Sequence, residues 1–119
     1  MAQPRVGLMT FGDERDYMWE GYFAGLTEPR HAEARECLGG WPIELMAFDE
    51  VARSRDEVDR QVAELQARGA EALFAHTPCW ATPNLTVRAI QSLGLPTVVM
   101  TSTSAATHGM VGMLAAAGT

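Results

Sequence analysis

The chain has 119 residues, 47% of them hydrophobic and 20% charged, which is the composition of an ordinary globular chain able to form one core. Its formal net charge is -6 and it contains no lysine, so nothing is basic enough to hold a phosphate backbone and nucleic acid is disfavoured as a partner. No apolar run approaches the roughly 18–20 residues that cross a bilayer, and the start, Met1-Ala2-Gln3-Pro4-Arg5, lacks a signal-peptide layout, so no membrane partner is expected and a cytoplasmic location follows by default.

Arg5 to Phe11 reads as a first strand, and Gly12-Asp13-Glu14-Arg15-Asp16 as a polar loop that opens a helix, with its acids at the positive end of the helix dipole. Met18, Tyr22, Phe23 and Leu26 share one helical face. Thr27-Glu28-Pro29-Arg30 is a turn or a second helical start, because proline suits a first turn, and His31 to Leu38 is helix ended by Gly39-Gly40.

Pro42 to Phe48 reads as the second strand, followed by Asp49-Glu50. Ser54-Arg55-Asp56-Glu57 is a capping box, and Val58, Val62 and Leu65 line one face of the helix it opens, closed by Gly69. Glu71 to Ala75 is a third strand. Thr82-Pro83 opens a helix with Leu85, Ala89, Ile90 and Leu93 facing inward. Gly94-Leu95-Pro96 then turns into a fourth strand, Thr97 to Met100. Thr101 to Thr107 is a small-residue loop, and Gly109 to Ala117 an apolar, helix-prone stretch that needs a packing surface.

Strands alternating with helices predict a single α/β domain: a doubly wound, mostly parallel sheet flanked by helices, flavodoxin-like or Rossmann-like. The expected sheet core is Val6, Leu8, Ile43, Leu45, Leu73, Phe74, Val98 and Val99. Such folds build their sites where the carboxyl ends of the strands converge. Here those ends carry Phe11 to Arg15, Asp49-Glu50, His76 to Trp80 and Thr101 to Ser104.

Each polar or aromatic group there has a plain structural reading beside a functional one. Arg15 offers five donors to an anion or to hydroxyls, or it bridges Asp13 or Asp16. Trp80 stacks on a ligand face, or it packs at a helix start. Cys79 is a nucleophile only with a base and an orienting group, and His76 reaches it only if the loop folds back; otherwise it is a small buried thiol. His76 with Cys79 is too few for a metal site, as are His31 with Glu33, and His108 serves as a helix cap. Cys37 and Cys79 form no short-spaced redox or metal motif, so two free thiols are expected. Neither a dinucleotide nor a Walker fingerprint follows the first strand, where two acids would repel phosphate. The absence of lysine also rules out a phosphorelay receiver.

Thr77-Pro78-Cys79-Trp80, Val6-Gly7-Leu8 running to Arg15, and the Thr101-Ser102 loop before Gly109–Ala117 together resemble the amino-terminal domain of the L-fucose isomerase and L-arabinose isomerase superfamily. The match is closest to the fucose-type members, and Thr-Pro-Cys-Trp is its specific part. The resemblance implies an enzyme that interconverts aldoses and ketoses through an enediol with a divalent metal, usually manganese. That metal is held by two acids and a histidine of later domains, so no catalytic residue and no metal ligand is assigned in this chain. It implies substrate-binding roles for Arg15 and Trp80, lent to the active site of a neighbouring subunit. It also implies a sugar ligand, a homo-oligomer, and further domains of the same chain as partners, with residues 1–119 an amino-terminal fragment that is inactive alone. Ala81-Thr82-Pro83-Asn84 departs from the Cys-Tyr-Gly stretch and acid that fucose-type members carry there, which leaves the sugar open. The alternative is a free-standing flavodoxin-like module that binds a small ligand or a protein.

Overall fold

The computed structural model describes residues 2–101 and 117–118. Strand β1 (Arg5–Thr10) leads into a short helix α1 (Asp16–Met18), a π-helical turn (Trp19–Phe23) and α2 (Ala24–Gly39). Then come β2 (Glu44–Met46), α3 (Arg55–Ala67), β3 (Ala72–Thr77), α4 (Pro83–Leu93) and β4 (Thr97–Thr101). The four strands are all parallel, in the order β2-β1-β3-β4.

The order has a physical consequence. β1 and β3 are neighbours at the centre, and their following helices cover opposite faces. On one face Met9, Met46, Leu73 and Ala75 pack against Val58, Val62 and Leu65 of α3 and Leu85 and Ala89 of α4. On the other, α2 lies against β1, where His31 bonds to Thr10. This is the doubly wound arrangement expected, with flavodoxin-type strand order, and the crevice between β1 and β3 is its topological switch point.

Three of the eight expected sheet-core residues are buried. Val6, Leu8 and Leu73 are buried, but Ile43, Leu45, Phe74 and Val99 are half-buried and Val98 is 54% exposed. The register explains it. Phe74 pairs with Leu8 and Val98, so all three point to the α2 face; Leu8 on central β1 is buried there, whereas Phe74 and Val98 lie toward the β4 edge, where Trp41 meets Phe74 edge-on at 5.8 Å. The main core is on the α3–α4 face and uses Met9, Phe11 and Met46 instead. Close contact there depends on Gly7, because a Cβ at that position would lie 2.8 Å from Leu65 Cδ1.

Three element boundaries differ from the sequence reading. No turn occurs at residues 27–30: the helix is continuous and Pro29 sits inside α2. The bonds of His31 to Thr10 and the Phe48 carbonyl, with the burial of Leu38 on the same side, outweigh the hydrogen bond that proline removes. β2 is only three residues long, since it pairs with β1 alone from the sheet edge, and the Phe48 carbonyl turns to His31. β3 runs on through His76 and Thr77, which pair with Thr10 and Thr101 of the two flanking strands. The helices α3 and α4 behave as their patterns indicate. The Ser54 hydroxyl accepts from the Glu57 amide at 3.2 Å, Glu57 returns a bond to the Arg53 amide at 3.1 Å, and Gly69 and Gly94 close the helices at positive φ. The expected loop after Thr101 and the expected helix over residues 109–117 lie outside the described residues, apart from Ala117.

Candidate functional site

Three loops at the carboxyl edge are stitched together by main-chain bonds. The Ala52 amide donates to the Thr10 carbonyl, the Gly12 amide to the Ala52 carbonyl, and the Phe11 amide to the His76 carbonyl. The Thr82 amide donates to the Gly12 carbonyl at 3.3 Å, and its hydroxyl accepts from the Glu14 amide at 3.2 Å. The loop after β1, which carries Arg15, is thereby tied to the loop after β3, which carries Trp80. Gly12 also lets the loop after β1 sit close to the π-helical turn and to the loop after β2: a Cβ there would fall 2.8 Å from the Trp19 ring and 3.1 Å from Val51.

Asp13 is the electrostatic centre of the first loop. Its side chain is buried, and it accepts from the Arg15 amide at 2.9 Å, from Arg15 Nε at 3.0 Å and from Nη2 at 2.6 Å. Hydrogen bonding from Arg15 holds its carboxyl below the usual carboxylate range and, in return, raises the Arg15 guanidinium above its own. Arg15 keeps nearly half of its side chain in solvent, with the guanidinium 5.9 Å over the Tyr17 ring. Arg53 donates to the Asp13 carbonyl at 3.1 Å and to Asp16 at 2.8 Å, and stacks 4.7 Å over the Trp19 ring. So Arg15 bridges Asp13, as its plain reading anticipates, while presenting a fixed, partly open fork.

Trp80 is half-buried beside a cluster of Trp19, Phe23, Val51 and Cys79. Cys79 is fully buried, and Cys37 is exposed; both are free thiols. His76 turns its Nδ1 to Thr10. Asp49 and Glu50 lie exposed in ion pairs with Arg35 at 3.1 Å and Arg60 at 2.9 Å. His108 and Ser102 to Ser104 are outside the described residues.

Beneath this edge lies a buried polar chain that the sequence reading did not assemble. Thr10 Oγ1 is 2.7 Å from His31 Nδ1 and 3.0 Å from His76 Nδ1, and His31 Nε2 is 2.7 Å from the Phe48 carbonyl. A carbonyl only accepts, so His31 Nε2 carries a proton and donates. In neutral His31, Nδ1 is then the acceptor, and the Thr10 hydroxyl donates to it. The single hydroxyl proton being used, His76 Nδ1–H donates to Thr10. His76 Nε2 is left as a bare lone pair. Burial pushes both rings toward the neutral form, His76 down to about 4 and His31 below its ordinary value. The sequence signal lay in β3 running further than its apolar residues. That extension pairs Thr10 with His76 on neighbouring strands.

No group of three or more His, Cys, Asp or Glu side chains that could hold a metal occurs among the described residues. No helix of the described residues is long and apolar enough to cross a membrane. Comparison with family models, with characterised proteins and with solved structures finds no match to the chain.

Proposed function

We propose that the chain is the substrate-recognition domain of an aldose–ketose isomerase of the L-fucose/L-arabinose type, reading a sugar at the carboxyl edge of its sheet. The supporting observation is the Thr82 clasp, which joins the loop bearing Arg15 to the loop bearing Thr77-Pro78-Cys79-Trp80 at the switch point. A sugar offers apolar C–H faces to an indole and hydroxyls to a guanidinium. Asp13 fixes the plane of the Arg15 fork, so little side-chain freedom is lost when a hydroxyl binds. The role assigned is binding and orientation; the proton shift and the manganese belong to other domains of such an enzyme, and a homo-oligomer would carry the fork to a neighbouring subunit's site.

Titrating the purified chain with L-fucose and L-arabinose, with tryptophan fluorescence and calorimetry as readouts, tests this reading. Saturable binding is expected, and Trp80→Ala is expected to lower its stoichiometry or affinity with little change in thermal unfolding. A core tryptophan behaves differently, since its truncation costs about 3–5 kcal/mol of stability. Unchanged binding by Trp80→Ala, or a loss of stability on that scale, would overturn the proposal.

A further inference from the structure

A cleft of about 450 Å³ opens on the α2 face of the sheet, lined by Arg30, Glu33 and Cys37 of α2 and by His76, Pro78 and Thr101. Arg15 and Trp80 do not line it. We propose that this cleft binds a neutral, polyhydroxylated small molecule, with His76 Nε2 as the fixed acceptor for one ligand hydroxyl.

The inference rests on the buried chain. His76 is more than nine-tenths buried, and its Nδ1 is committed to Thr10. Its Nε2 has no hydrogen-bond partner among the described residues. With His31 neutral, the bond from its Nε2 to the Phe48 carbonyl sets the proton positions along the chain, so His76 cannot switch tautomer without leaving Thr10 or His31 unpaired. An imidazole held this way is acceptor-only, unlike a surface histidine that turns to suit its ligand. It selects groups that donate.

The other charged groups narrow the class. Arg30 and Glu33 face each other at 3.3 Å, one donor and one acceptor at the same wall, with no net charge between them. An anion would meet the Nε2 lone pair and the Glu33 carboxylate; a cation would meet Arg30. A hydroxyl both donates and accepts, so adjacent hydroxyls can satisfy His76 and the Arg30–Glu33 pair together. The volume is within the range of small-molecule sites. The ligand class agrees with the reading above, which this inference deepens, but the residues are different.

The test uses the 119-residue chain labelled with ¹⁵N and reads the histidine ring nitrogens by NMR at neutral pH. L-fucose, L-arabinose and myo-inositol are the probes, and tetrahydropyran, a ring without a hydroxyl, is the control. Without ligand, Nε2 of His76 should resonate as an unprotonated nitrogen and Nδ1 as a protonated one. At least one polyol should shift Nε2 saturably toward the hydrogen-bonded value, while tetrahydropyran should not. His76→Gln should weaken the same polyol about tenfold by calorimetry, the loss of one hydrogen bond's worth of affinity. Protonated Nε2, the reversed tautomer, or no shift beyond the control overturns the proposal on the unmodified chain, whatever happens to the variant's folding. Failure of the Arg15–Trp80 reading would show in the Trp80→Ala titration and leave these ring signals unaffected, so the two failures are distinguishable.

Discussion

Acidification to about pH 5 should destabilise this chain while its carboxylates are still ionised. His76 has an ordinary value of 6.5 and a folded value of about 4, lowered first by burial and then by the neighbouring His31. The folded state therefore binds fewer protons than the unfolded state between these values, so stability is full above 6.5 and falls as the pH drops toward 4. At about pH 5 the unfolded ring is almost wholly protonated and the folded ring almost wholly neutral, which costs roughly 2 kcal/mol relative to neutral pH. His31 adds to this in the same direction, its burial and Arg35 outweighing Asp49, Glu28 and the Phe48 carbonyl. The geometry gives the reason. A proton on His31 Nδ1, 2.7 Å from Thr10 Oγ1, would meet the hydroxyl's own proton and force that hydroxyl to turn away. Asp13 is held below its ordinary 3.8, so its own loss comes only at lower pH. Urea unfolding at a series of pH values, for the wild type and His76→Gln, measures the effect. The wild type should lose about 2 kcal/mol or more by pH 5, and the variant distinctly less. A stability that is flat over this range, or equal slopes for the two proteins, would refute the reasoning.

Gly7→Ala should cost about 1–3 kcal/mol, because the new methyl would lie 2.8 Å from Cδ1 of the fully buried Leu65; urea midpoints measure it, and a neutral result would mean α3 does not press on β1 as described. Incubated with manganese and a panel of aldoses, the purified chain should form no ketose. Turnover above a metal-only blank would overturn the assignment of recognition without chemistry.

The fold was legible where local signals agreed with one another. Ser54 and Glu57 announce α3, and Val58, Val62 and Leu65 show which side it buries. Gly69 and Gly94 mark the helix ends. What local signals could not carry was register. Whether Leu8 or Met9 faces the larger core depends on which face receives α3 and α4, and no residue in β1 states that. Pro29 misled for a similar reason: its penalty is local, while the His31 bonds and the burial of Leu38 that outweigh it are tertiary. Arg15 and Trp80 could be named from the chain, but the Thr82 clasp that joins their loops is a long-range contact. The Thr10–His31–His76 chain was hidden because its members stand far apart in sequence and each has an ordinary reading alone.

That chain also explains why the edge is polar where a parallel sheet is usually apolar on both faces. The last rungs of β1, β3 and β4 carry Thr10 opposite His76 and Thr77 opposite Thr101. Thr101 Oγ1 donates to the Thr77 carbonyl at 2.8 Å, and Thr10 is shared between two imidazoles. A hydrophobic rung would pack as well for stability alone, since replacing all partners of a buried network by apolar groups is often nearly neutral. A network whose hydrogen-bond directions are all fixed does something that packing does not: it determines which atom faces outward and in what protonation state. Here that atom is His76 Nε2, a lone pair at the wall of a cleft, on the strand that ends in Thr77 and leads on to Trp80. A lone pair held outward in this way suits a ligand group that donates, and so a hydroxyl better than an anion.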